Sequence, residues 1–151
     1  MASTLAEKLA GRAYALVLTS PLDRARETAR LAGFPDAEVD DDLVEWDYGD
    51  FEGRTTSDIR DDIPAWSLWD DGAPKGESLA DVAARATRVV ERARATDGDV
   101  LAFAHGHLLR VVAACWLGLA PDVAKHLALD PATLSLLGWE RETPALRTWN
   151  A

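Results

Sequence analysis

Asp99-Val-Leu-Ala-Phe-Ala-His-Gly-His-Leu-Leu-Arg110 is the stretch on which the reading of this chain turns. An apolar run of 4–8 residues bounded by polar and glycine signals is the pattern of a buried strand. The run here, Val100 to Ala104, ends on His105, turns at Gly106 and re-enters an apolar pattern that predicts a helix over about 108–117. A histidine is thus expected at the carboxyl end of a strand, the edge where open α/β sheets bind their ligands. The N-terminus of a helix just beyond it favours an anion. An imidazole there changes charge near neutral pH and can serve such an anion.

Working outward, strand and helix patterns alternate. Residues 3–10 read as a helix stopped by Gly11, and Tyr14 to Ser20 as a buried strand. Ser20 followed by Pro21 has the form of an N-cap and first turn, predicting a helix to about Gly33 with Leu22, Ala25, Ala29 and Ala32 on one face. A short strand is expected over Val39 to Leu43, then an irregular insertion over 45–76, rich in Trp, Asp and Gly, with a short helix near Thr56 to Trp66. Ser78 and Asp81 have capping-box spacing, and Leu79, Val82, Ala83, Ala86, Val89, Val90 and Ala93 form the stripe of an amphipathic helix. A short helix after Pro121 and strands over 133–140 and 146–149 close the chain. The alternation predicts one three-layer α/β/α domain over residues 1–151.

Composition narrows the function classes. The chain has 151 residues, 48% of them apolar, enough for one core. Its net charge of −10 and the lack of a basic stretch argue against nucleic acid or anionic membranes as partners. The single cysteine, Cys115, excludes an internal disulfide and reads as buried filler. No signal pattern or membrane-length apolar run is seen, so a cytoplasmic location is expected.

Four segments can carry chemistry. Arg24 lies one turn into the helix that follows the first strand, where a guanidinium can hold two phosphate oxygens in a fork. Glu45 sits among Leu43, Val44 and Trp46, neighbours that would desolvate its carboxyl and raise its pKa, as a general acid requires. Glu77, just before the Ser78 cap, is a candidate for facing a pocket. His105 is the fourth, with His107 opening the next helix as a possible pocket lining and His126 as a surface or packing residue.

In this order, Ser20-Pro-Leu-Asp-Arg24-Ala, Leu43-Val-Glu45 with Gly49-Asp-Phe-Glu-Gly53, Gly76-Glu-Ser78 and Ala104-His105-Gly, these segments resemble the histidine phosphatase (phosphoglycerate-mutase-like) superfamily. The short insertion after Gly53 resembles the small bacterial acid phosphatases more than the glycolytic mutases. The resemblance implies that Arg24 grips a phosphoryl group, Glu45 protonates the leaving oxygen and His105 stabilises the group in transfer. It implies a small phosphorylated metabolite as substrate and no metal or other cofactor. The family also carries an Arg-His-Gly segment at the end of its first strand, whose histidine attacks phosphorus. No Arg-His pair occurs in this sequence, so the resemblance implies an N-terminally truncated member without that strand and with little turnover alone. The strand ending in His105 would then have an unpaired edge, with a homodimer or marginal stability as the consequence.

Two other readings are carried forward. One is a phosphate-ligand-binding or regulatory protein using Arg24 and His105 without catalysis. The other is a metal-dependent hydrolase using His105 and His107, whose alternation would place both on one face of a continued strand.

Overall fold

The computed structural model describes residues 2–151. Three parallel strands form its sheet: β1 (Leu16–Thr19), β2 (Glu38–Val39) and β3 (Val100–Phe103), in the order β2-β1-β3. β1 pairs with β3 from Leu16↔Val100 to Thr19↔Phe103, so both strands end at the same edge. Helices α1 (Ala2–Leu9) and α2 (Asp23–Leu31) cover one face; α5 (Leu79–Ala95) and α6 (Gly106–Trp116) cover the other. Strand alternation explains the two cores. Leu18, wholly buried, packs with Val82, Ala86, Leu108 and Val111, whereas Leu101 and Phe103 pack with Leu5, Leu9 and Ala29. This is the α/β/α layering expected from the sequence.

An antiparallel pair, β4 (Leu136–Glu140) and β5 (Thr143–Thr148), lies apart from the sheet. Among the described residues, β3 pairs with no strand on its far side. The carbonyls of Asp99 and Phe103 accept from Ala15 and Ser20 on the β1 side. Backbone groups alternate along a strand, so those of Val100 and Ala102 point to the open edge. A cavity of about 750 Å³ runs along it, with Val100 to His105 on one wall and Leu134 to Trp139 on the other.

Several boundaries differ from those expected. Ser20 does not cap α2. Leu22 holds the N-cap position without a side-chain cap, and the helix starts at Asp23, beyond Pro21. The Ser20 hydroxyl instead accepts from the Leu22 N–H and meets His105, which keeps this buried group paired. The strand expected over 39–43 stops at Val39, because the Asp40 side chain accepts from the Asp42 N–H and starts a 3₁₀ turn, Asp41–Leu43. Ser78 and Asp81 do form a capping box on α5.

The insertion contributes a second 3₁₀ turn, Gly49–Phe51, and helices α3 (Thr56–Asp62) and α4 (Leu68–Asp71). Two of its glycines let two chain segments meet. A Cβ on Gly76 would stand 2.4 Å from the Asp47 carbonyl oxygen, and one on Gly49, at φ +51°, would stand 2.2 Å from that of Pro74. Backbone against backbone at that separation requires glycine. The contact fixes where the segment bearing Glu45 lies.

Candidate active site at the carboxyl edge of the sheet

β1 and β3 both end beneath one opening, and the chain leaves each into a helix. From α2, Arg24 reaches across and its Nε donates to His105 Nδ1 at 3.2 Å. His105 Nε2 lies 2.7 Å from the Ser20 hydroxyl. His105 is buried, and burial first, then the Arg24 charge, push its pKa below the usual imidazole range, with Glu45 opposing.

Glu45 comes from the loop after the first 3₁₀ turn. Its carboxylate accepts from the backbone N–H groups of Trp46 at 2.9 Å, Leu108 at 2.9 Å and His107 at 3.2 Å. The last two belong to the first turn of α6, whose N-cap residue, His105, supplies no side-chain cap. Glu45 therefore caps α6 from 62–63 residues away, in the place where a helix favours negative charge. The Glu45 side chain is only 11% exposed, and the amide donors that hold it there are not announced by its chain neighbours. Leu43 and Trp46 turn into the core and leave the carboxylate to amide donors.

Behind Glu45 lies a clasp. Arg85 of α5 makes a two-pronged contact with Glu77, Nε and Nη2 each 2.8 Å from a carboxylate oxygen. Its Nη1 donates to the carbonyls of Asp42 at 2.8 Å and Val44 at 2.9 Å. Glu77 also accepts from the Asp47 N–H, and its carbonyl accepts from the Trp46 indole. The expectation that Glu77 faces a pocket is replaced by this buried support for the Glu45 loop, and it is not among the residues lining the cavity.

His107 is packed between the rings of Tyr48 and Trp69, with centroids 5.6 and 5.5 Å away, and lies beside Trp46. Its Nδ1 is hydrogen-bonded to the Tyr48 hydroxyl at 2.6 Å. Burial first, then the Arg110 charge, lower its pKa, with Glu45 opposing; burial, with Glu45 and Glu52 nearby, raises that of Tyr48. Trp46 and Trp66 are core residues, and Trp69, half-buried, lies under the Arg110 guanidinium at 4.7 Å. The metal reading finds no geometry. Both ring nitrogens of His105 are engaged with Arg24 and Ser20, His107 turns to Tyr48, and among the described residues no three His, Cys, Asp or Glu side chains are placed to hold an ion.

A model of the histidine phosphatase superfamily (branch 1) matches residues 1–151. The chain belongs to that superfamily. It is 40% identical over 127 residues to an acid phosphatase of Mycobacterium tuberculosis, covering 83% of this chain and 63% of that protein. It thus spans less than two thirds of that relative's length. The solved structure of the Rv3214 product of Mycobacterium tuberculosis superposes with a TM-score of 0.90 at 36% identity, over 99% of this chain and 78% of that one. A mycobacterial glucosyl-3-phosphoglycerate phosphatase in complex with VO3 superposes with a TM-score of 0.85 at 33% identity, over 99% and 82% of the two chains.

In this histidine phosphatase chain, three of the five residues singled out from the sequence line one cavity: Arg24, Glu45 and His105. Glu77 and His107 stand behind it. Sequence reasoning missed Ser20 as the partner of His105, Tyr48 as that of His107, and Arg85. Only Arg85 carried a signal: it sits three residues after Val82 and four before Val89, so a charge shares the helix's apolar face.

The two depressed imidazole pKa values have a stability consequence. The unfolded chain binds protons at His105 and His107 that the folded chain refuses. Their stabilisation is complete above the unfolded value of ~6.5 and is lost as pH falls below it toward the folded values. Urea midpoints are expected to fall between pH 7.5 and 5.5, and the fall should shrink in His107→Gln. An unchanged pH dependence in that variant would contradict this origin.

Proposed function

We propose that this chain acts on small phosphorylated metabolites through a phosphomonoester site of the acid-phosphatase type. The observation that carries the reading is the Arg24–His105 contact at the sheet's carboxyl edge, with Glu45 fixed on α6 beside the same cavity. Arg24 supplies the forked donors that a phosphoryl group takes, and His105 adds a second donor for charge developing on its oxygens. Glu45 serves as acid toward the leaving oxygen and then as base toward water. The chemistry needs neither metal nor cofactor, and the cytoplasm, where phosphorylated metabolites are made and used, is its setting.

Turnover by this polypeptide alone is expected to be weak. Of the three histidines, His105 is the one that lines the cavity, and its nitrogens are already held by Arg24 and Ser20. That observation favours a second reading, in which the same pocket binds a phosphorylated ligand without transforming it. Vanadate titration and hydrolysis of nitrophenyl phosphate test both. Vanadate is expected to perturb the His105 ring, while hydrolysis stays several orders of magnitude below that of an enzyme with its nucleophile in place. Vanadate binding with no hydrolysis supports the second reading. A His105 ring that ignores vanadate would sink both.

A further inference from the structure

Arg24 and His105 occupy each other. A guanidinium has donors and no acceptor, so Nδ1 of His105, facing the Arg24 Nε–H at 3.2 Å, carries no proton. The neutral ring must then hold its proton on Nε2 and donate it to the Ser20 hydroxyl, 2.7 Å away. That hydroxyl also accepts from the Leu22 N–H, and its two lone pairs can take both donors. In this state His105 offers an incoming oxyanion a lone pair, not a donor. A proton added at Nδ1 would oppose the Arg24 N–H, so the contact and the charged ring exclude each other.

An oxyanion placed between the two groups reverses this. It accepts from Arg24 on one side and gives Nδ1–H an acceptor on the other. The charges there favour the same outcome. The titratable groups facing His105 are Arg24 from α2 and Glu45 from the loop after the first 3₁₀ turn, while His107, on its own helix, is turned toward Tyr48. A dianion entering beside the Glu45 carboxylate meets Arg24, the one arginine among the described residues that is both in the cavity lining and in contact with His105.

We propose that oxyanion binding at this site is coupled to the uptake of one proton, at His105 Nδ1, with release of the Arg24–His105 hydrogen bond. This rests on the reading of the site as a phosphoryl pocket. The balance is simple: one proton from solvent forms the Nδ1–H bond, the ring becomes a cation donating at both nitrogens, and Nε2 keeps its bond to Ser20. Affinity for a dianion of constant charge then falls with rising pH, by tenfold per pH unit between the free-state and the bound-state pKa of His105.

Sulfate, a dianion throughout pH 5–9, is the probe, because it does not titrate. Its affinity, read from ¹H–¹⁵N spectra of the histidine rings, is expected to weaken tenfold per unit between pH 7 and 9, with Nδ1 of His105 gaining a proton on saturation. Calorimetry in two buffers of different ionisation enthalpy should count close to one proton taken up at pH 8. His105→Gln should bring that count to zero, and His107→Gln should leave it at one. Sulfate that binds with no proton uptake and a flat pH profile would overturn the coupling while leaving the phosphoryl pocket standing. Uptake that survives His105→Gln and vanishes in His107→Gln would overturn the assignment of the proton. Sulfate that perturbs neither ring at any pH would overturn both the coupling and the pocket.

Discussion

Arg85→Met is expected to destabilise the fold by about 3–5 kcal/mol, the usual cost of removing one partner of a buried ion pair. The Arg85 and Glu77 side chains are only 12% and 22% exposed, so water replaces little of what is lost. The substitution strands the Glu77 carboxylate and removes the donor to the carbonyls of Asp42 and Val44. Glu77→Gln should soften the loss, because no unpaired charge then remains. The double variant is expected to fall short of the sum of the singles in urea unfolding. Arg88→Met is the control, since its bond to Asp42 is made from an arginine side chain 55% exposed, where solvent screens the pair. Equal losses for Arg85→Met and Arg88→Met would refute the clasp.

Arg24→Ala is expected to lower vanadate affinity by about 100-fold or more. A charge-assisted hydrogen bond contributes roughly 1.5–3 kcal/mol, and a forked guanidinium makes two. Melting temperature should not change, because Arg24 is exposed and contributes little to packing. Arg24→Lys keeps the charge without the fork and should fall between. Arg26→Ala, on the same helix but outside the cavity, should bind vanadate as the parent does. A parent-like affinity in Arg24→Ala would remove Arg24 from the phosphoryl site.

Arg24 and His105 were legible in the sequence for one reason. Each lies within a few residues of a strand end, so topology alone brings both to one edge of the sheet. The amphipathic stripe and cap of α5 were legible because they are local patterns. What was not legible depends on contacts across long separations. The apolar chain neighbours of Glu45 suggested a desolvated carboxyl but not its donors, since two of its three amide partners lie 62–63 residues on. Ser20 looked like a helix cap because cap and strand end share a residue type; the ring that takes its hydroxyl is 85 residues away. Tyr48 left no trace, since nothing in its surroundings in the chain announces His107. The insertion over 45–76 is irregular, and its shape is set by the approach of Gly49 to the 74–76 backbone, which no periodicity records.

The capping of α6 by Glu45 has a consequence of its own. The carboxylate is tied to the peptide groups of residues 107–108, two and three positions beyond His105. Carboxylate and imidazole are therefore both held by the first turn of α6, and their separation is set by two hydrogen bonds and that turn. Arg24 rides on another helix, α2. A change in the placement of α2 relative to α6 would move Arg24 against this pair, and carboxylate and imidazole would keep their mutual alignment.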